Sequence, residues 1–508
     1  MSQATANPNA EKTGAAADAA ASQTGILRRI FGQHLMFGAL LVGMTVTLAG
    51  ALANGSELTQ DPDLWWHLAD ARHLFAAHEF IRVEPYAFTV AGQPWVNPEW
   101  LAETPYWIGY KTGGLLGLHL AAVIAFCANL LLIYFRCATK SGHKAAAFWT
   151  SVVSFFLIAI NAGARTIVIA YLALAIELII LDAAEKGRTR ALWLLPALFC
   201  IWINLHGSWV IGLGLLGLYI VCGLFPLKMA AFDQSAFSSA ELNRLIAVFG
   251  ASVAALLVNP YGWRLIWNPF DMMLNQKLMV SITQEWQPLS LGTTVGKAAA
   301  VFLVLMVVAN VRRGRKWKVY ELAFLLSGWY FAVSHERFAF LACVLSAPML
   351  AVGLARAFFS TPSEKTIPIF NALIAAGIVV TAVMVSPGPA ALEKQLAQTY
   401  PLKSIAAIEP GWRTFNEYSI GGMMDFNGKS DFIDSRNDIF EHHGALTDYV
   451  AIQNGQDPQN LLKRYGADRA LIRVNSPLAA TLAATPGWRE LMREGAGDNA
   501  FVLLAKTH

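Results

Sequence analysis

Residues 113–135 read GGLLGLHLAAVIAFCANLLLIYF, with no Asp, Glu, Lys or Arg among them. A helix needs about 20 apolar residues to cross a bilayer, and a helix satisfies its own backbone hydrogen bonds there. The stretch therefore reads as a membrane span. Outward from it, residues 35–54, 294–311 and 366–386 read the same way. The 508-residue chain is 56% hydrophobic and 14% charged, where soluble domains carry about 25% charged residues. One helix bundle thus absorbs most of the length.

The basic residues orient the bundle, because Lys- and Arg-rich loops stay cytoplasmic. Arg28/Arg29, Arg136–Lys144, Lys186–Arg190, Lys228/Arg244, Arg312–Lys318 and Arg356/Lys365 alternate with poorly basic loops. Eleven spans fit: 35–54, 113–135, 145–161, 166–182, 191–205, 208–225, 245–258, 294–311, 319–334, 339–357 and 366–386. An odd count puts the N-terminus inside and the C-terminus outside. Residues 1–30 open as an Ala/Ser/Thr/Gln-rich tail without apolar periodicity, expected to be disordered. Residues 31–386 form the transmembrane domain, with a large first outer loop at 55–112. Residues 387–508 turn polar and alternate short apolar runs with charges, as a small α/β domain does. Strands are expected at Phe432-Ile433, Ala470–Val474 and Phe501–Leu504, and helices at 457–465 and 487–493. The fold class is an α-helical polytopic membrane protein of about 11 transmembrane helices with a small C-terminal α/β domain.

Several function classes drop out. The five cysteines lie in or beside apolar runs without CxxC spacing, so no disulfide framework or zinc site is expected. The basic residues form loop clusters and no stripe, which argues against nucleic acid. No Walker loop, GxGxxG or HExxH pattern is present.

The polar residues are asymmetric. The expected outer loops hold Asp61, Asp63, His67, Glu99, Arg165, His206, Asn259, Glu285, His335, Glu336 and Arg337, whereas the inner loops hold little but Lys and Arg. Ionisable residues at helix ends that meet in a bundle mark a site. In Asp61-Pro62-Asp63-Leu64-Trp65-Trp66-His67-Leu68, Asp61 suits an N-cap and Pro62 a first helical position. Asp63, His67 and Asp70 then form one polar stripe, with Leu64, Leu68, Ala71 and Phe75 on another. That pattern predicts an amphipathic helix along the membrane surface. Its acids either cap and face solvent, or one of them is a general base beside apolar lipid. Pro94-Trp95 to Glu99-Trp100-Leu101 is a Pro-bounded turn or the lining of a sugar pocket. Asn204-Leu205-His206-Gly207 and Asn259-Pro260-Tyr261-Gly262 are helix stops or substrate contacts. His335-Glu336-Arg337-Phe338 and Arg165 sit in tight turns, where a guanidinium binds phosphate well.

With Glu285-Trp286, Phe415-Asn416-x-Tyr418-x-x-Gly421-Gly422 and Phe432-Ile433-Asp434-Ser435-Arg436, these motifs make the chain resemble bacterial membrane glycosyltransferases of the GT-C superfamily. The resemblance covers nearly everything after residue 30. It implies sugar transfer from a polyprenyl-phosphate donor to an envelope acceptor at the outer face of the bacterial inner membrane. It also implies an acid of the first outer loop as base, Asp61 or Asp63, and basic residues on the donor phosphate. Trp95, His67, Glu99, Arg165, His206, Asn259, Glu285, His335 and Arg337 are the expected substrate-binding residues. Asp61 and Asp63 with Glu99 would suit magnesium or manganese; the metal stays unassigned. The alternatives are a transporter or flippase, or a non-catalytic assembly partner, for a lipid-linked saccharide.

Overall fold

The computed structural model describes residues 32–53, 61–159, 162–229, 232–311, 316–359 and 367–507. The expected tail, the start of the first outer loop (54–60), and the basic residues Arg28, Arg29, Arg312, Arg313, Arg315 and Lys365 lie outside them. Each of the eleven expected spans falls on a helix. These are α1 (Gln33–Ala53), α3 (Trp100–Ser141), α4 (Lys144–Ile158), α5 (Thr166–Glu185), α6 (Leu195–Leu205), α7 (Trp209–Cys222), α8 (Ser239–Ala255), α10 (Thr294–Val311), α11 (Val319–Ser334), α12 (Ala339–Phe358) and α13 (Pro368–Val385). Between spans lie α2 (Asp63–Ala77) and α9 (Trp263–Asn275), with the short helix Lys277–Ile282 after α9. Five helices among the described residues are long and apolar enough to cross a membrane, α3, α5, α10, α12 and α13 among them.

Helix α12 is the axis of the bundle. Residues 339–353 are buried without interruption, and α3, α4, α10 and α11 pack around them. At the periphery Leu373, Val383 and Met384 of α13 and Val307 and Val311 of α10 are exposed. That is the surface a bilayer covers. Helix α3 is bent where Gly113 and Gly114 leave the helical region; Gly114 has φ +58°. A Cβ at Gly117 would lie 2.0 Å from the Gly109 carbonyl, so the two arms of α3 touch backbone to backbone. Residues eight apart in a straight helix stand about 12 Å apart. The N-terminal arm thus folds back and returns the first outer loop to the bundle.

The C-terminal sheet has the order β3-β4-β6-β5, with β3 (Thr414–Asn416) parallel to β4 (Arg469–Arg473). Strands β6 (Phe501–Lys506) and β5 (Trp488–Glu494) extend it antiparallel. Earlier in the chain the short strands β1 (Leu227–Met229) and β2 (Phe232–Gln234) pair antiparallel. The expected helix at Pro458–Tyr465 is present. The helix expected at 487–493 is strand β5 instead. Its Arg and Glu residues favour a helix, but pairing with β6 at the sheet edge overrides that preference, and charges on an edge strand face water. Phe432-Ile433 is not a strand either. The Asn416 amide takes the place of a neighbouring strand, accepting from Phe432 N at 2.7 Å and donating to Ile433 O at 2.8 Å.

Helix α2 also departs from expectation. Its first half is no surface helix: Leu64 to Ala71 are all buried, His67 and Asp70 included, whereas Phe75 in the last turn is exposed. The amphipathic pattern was real, but both faces have partners. Leu64, Leu68 and Ala71 share one core with Tyr106 of α3 and with Met423 and Met424 of the short helix Gly421–Phe426 in the C-terminal region. Trp66, Ile81, Val90 and Trp95 of the first outer loop share one core with Phe415, Phe432 and Ile472.

Candidate active site

Asp61 caps α2. Its Oδ1 accepts from the Asp63 amide at 3.0 Å, an Asx turn. Its Oδ2 accepts from Arg165 Nε at 2.6 Å, and Arg165 Nη1 lies 2.5 Å from Glu285. Burial pushes the Asp61 carboxyl up, but the Arg165 charge and these hydrogen bonds prevail and hold it below the usual range. Asp63 has no cation of its own. Burial and the neighbouring Asp61 charge raise it to about 6. Two acids, two residues apart, thus titrate in opposite directions.

A second chain runs through Glu99, the residue before α3. His67 Nε2 lies 3.3 Å from Glu99 Oε2, and His206 Nε2 lies 3.2 Å from Oε1. Thr166 Oγ1 donates to Oε2 at 2.6 Å. His206 Nδ1 accepts from the Ser208 amide at 2.9 Å. Burial and then Arg337 depress its pKa to about 3, so the ring is neutral and its single proton sits on Nε2, donating to Glu99. His67 is lowered too, first by burial, and its Nδ1 lies 2.8 Å from Glu103. A neutral imidazole carries one proton and lies between two carboxyls, so one of the glutamates holds a proton as well. Burial raises Glu99 to about 7.

The third group is the turn after α11. His335 Nδ1 bonds Trp286 O at 2.6 Å, and the Arg337 guanidinium stacks 4.3 Å over the Trp286 ring. Among the described residues no carboxylate pairs with Arg337. Arg165, in contrast, is held by two.

Asp61, Asp63, His67, Glu99, Arg165, His206, Glu285, His335 and Arg337 therefore come together at one end of the bundle. Arg136, Lys140 and Asp182 pair at the other end of α3 and α5. Two expected residues stand elsewhere. Asn259 spends its side chain on its own turn, bonding Leu256 O, Gly262 O and the Tyr261 amide. Trp95 is buried in the core, 5.9 Å from Trp66 and 4.8 Å from the Arg436 guanidinium. A magnesium or manganese ion on Asp61, Asp63 and Glu99 does not fit. Their oxygens do not converge within ligand range of one another, and Glu99 is already held by two histidines and Thr166.

Sequence reasoning passed over Asn97, Glu103 and Glu84. Asn97 Nδ2 donates to Glu103 at 2.8 Å and Asp70 at 3.0 Å. Glu84 Oε2 lies 2.6 Å from Arg436 Nη1, with both side chains buried. Polar residues at buried positions are the signal for such a network, but burial is invisible in a loop of mixed composition.

No protein-family model and no curated protein matches the chain. Solved structures do. ArnT from Cupriavidus metallidurans in the apo state superposes with TM-score 0.52 at 15% identity, over 91% of this chain and 97% of that one. The same protein bound to undecaprenyl phosphate gives 0.51 at 13%, over 92% and 97%. The apo oligosaccharyltransferase of Archaeoglobus fulgidus gives 0.50 at 10%, over 85% and 69%. At these identities the likeness is one of fold, shared with ArnT and the archaeal oligosaccharyltransferase.

Proposed function

We propose that the protein transfers a sugar from a polyprenyl-phosphate-linked donor to a hydroxyl-bearing acceptor at the outer face of the inner membrane. The observation that carries the reading is the opposed electrostatics of Asp61 and Asp63 beside the carboxylate-free Arg337. The likeness in fold to proteins of this class supports it, one of them holding undecaprenyl phosphate.

Asp63 is the base. A carboxylate raised to about 6 is ionised at neutral pH and a better proton acceptor than an unperturbed one. It takes the proton of the acceptor hydroxyl, whose oxygen attacks the anomeric carbon as the bond to phosphate breaks. Polyprenyl phosphate leaves with the extra negative charge. Arg337 receives that charge, since no carboxylate competes for it. Asp61 positions Arg165. Glu99, between His67 and His206, lies beside the acceptor and fixes its hydroxyls. An open apolar groove of about 410 Å³ lined by Leu101, Ile169, Ile176, Leu198 and Leu205 suits the lipid chain. The C-terminal domain lies on the periplasmic side and closes the acceptor side of the site.

Single Asn variants test the assignment, because Asn caps a helix about as well as Asp. Asp63→Asn is expected to lose about two orders of magnitude in transfer with normal membrane insertion. Asp61→Asn is expected to weaken donor binding through Arg165. Wild-type transfer by Asp63→Asn would end the assignment.

A further inference from the structure

A second cluster of acids lies beneath the site, in the C-terminal region. Asp425 ends the short helix Gly421–Phe426, and Asp431 and Asp434 follow on the loop after it. One oxygen from each lies within 4.8 Å of the others. All three are buried, Asp425 at 1% exposure and Asp431 and Asp434 at 0%. Asp425 and Asp431 face each other as a carboxyl pair, and no other side chain or amide among the described residues bonds their oxygens. Asp434 accepts from Arg436 through both oxygens, from Nε at 3.0 Å and from Nη2, and Nη1 and Nη2 also reach Glu84. The pocket thus holds four carboxylates against one guanidinium.

An ionised carboxylate without a partner is costly to bury. A cation resolves both the surplus charge and the lack of donors from outside the cluster. We propose that Asp425, Asp431 and Asp434 bind a hard divalent cation, calcium or magnesium, at a site separate from the Asp61–Asp63 centre. The ligand set chooses the metal. It is all oxygen, with no His or Cys, which suits calcium or magnesium and not zinc or copper. Calcium and magnesium both take ligands of this kind.

The position gives the ion a task. A Cβ on Gly421 would lie 2.1 Å from Ile433 O and 2.7 Å from Asp434 Cα, and one on Gly422 would lie 2.8 Å from Pro62 O. The Gly421-Gly422 backbone is wedged between the acidic loop and the start of α2. Tying Asp425 to Asp431 and Asp434 fixes that wedge, and with it the helix that carries Asp63 and His67.

The test uses the full-length protein in detergent, stripped with a chelator and read by elemental analysis and thermal unfolding. Stripped wild type is expected to take up one calcium or magnesium ion and to gain on the order of 5 °C in Tm at saturation. Asp425→Asn/Asp431→Asn, and Asp431→Asn alone as a milder change, are expected to lose both responses while inserting normally. Asp61→Asn/Asp63→Asn is expected to keep both, whatever becomes of transfer. The proposal is overturned if stripped wild type binds no calcium, magnesium or manganese, or if the metal disappears with Asp61 and Asp63. It is also overturned if the Asp425→Asn/Asp431→Asn variant is more stable than wild type while neither calcium nor magnesium has an effect on either, the behaviour of a cluster neutralised by protons.

Discussion

Lowering the pH should silence Asp63 before it disturbs Asp61. A base must be ionised to work, and Asp63 is raised to about 6, so kcat/KM is expected to fall as pH drops through that value. Asp61, held low by Arg165 after burial is offset, keeps its pair over the same range. A pH profile with no limb between 5 and 7 would remove Asp63 as base; these bounds are roughly one unit either side. Arg337 is tested by shape rather than charge. Its planar guanidinium stacks on Trp286 at 4.3 Å, and Arg337→Lys keeps the charge but loses stacking and bidentate contact. The expected loss in donor affinity is about tenfold or more, read as KM, with equal KM as the contrary result. At this scale the sequence was largely legible. Turn residues with opposed chemistry in successive outer loops pointed to one centre, and nine of them meet there. Trp95 and Asn259 do not, because an aromatic ring or an amide in a turn serves packing and backbone as readily as a ligand. The ranking of Asp61 over or under Asp63 was not legible, since it depends on Arg165, a hundred residues away.

Helix α2 is the element on which the site depends, and its support comes from the C-terminal region. Trp66 Nε1 donates to Ser435 Oγ at 3.0 Å, and Arg72 donates to Phe426 O at 2.8 Å. Gly422 approaches Pro62 and Trp66 closely enough that a methyl group would lie 2.8 Å from Pro62 O and 3.0 Å from Trp66 N. Gly422→Ala is therefore expected to cost about 1–3 kcal/mol of stability and to lower transfer although it touches no substrate. An unchanged Tm together with unchanged transfer would show that α2 tolerates the shift. The apolar helices were legible because a long charge-free run in a chain of this composition has few other uses. The fate of α2 was not, because an amphipathic helix with two buried faces has the same sequence pattern as one with a wet face. Strand β5 was illegible for a related reason: Arg489, Glu490 and Arg493 favour helix locally, and only the partner strand β6 decides otherwise.

Across the whole molecule, chemistry gathers at one end of the bundle and basic ion pairs at the other, the arrangement expected if the charge alternation of the loops sets orientation. A phosphatase fused after residue 508 is expected to be active and one at Arg313 silent; the reverse would move every site residue to the cytoplasm. Charge deep in the bundle is the mark of a transporter. Glu177, buried with both oxygens unpartnered, is such a group, so Glu177→Gln separates the readings by leaving transfer intact if the enzyme reading holds. The bundle and the C-terminal α/β character were visible in composition and periodicity. Their shared core was not, because contacts such as Trp66 with Ser435 join residues hundreds of positions apart. The most direct measurement extracts the polyprenyl-phosphate lipids of cells making wild type or Asp63→Asn in place of it, and weighs them by mass spectrometry without assuming a sugar. The account predicts that a glycosylated polyprenyl phosphate accumulates in the Asp63→Asn cells and is consumed in wild type. An identical lipid profile in the two strains, with both proteins inserted at equal levels, would contradict it.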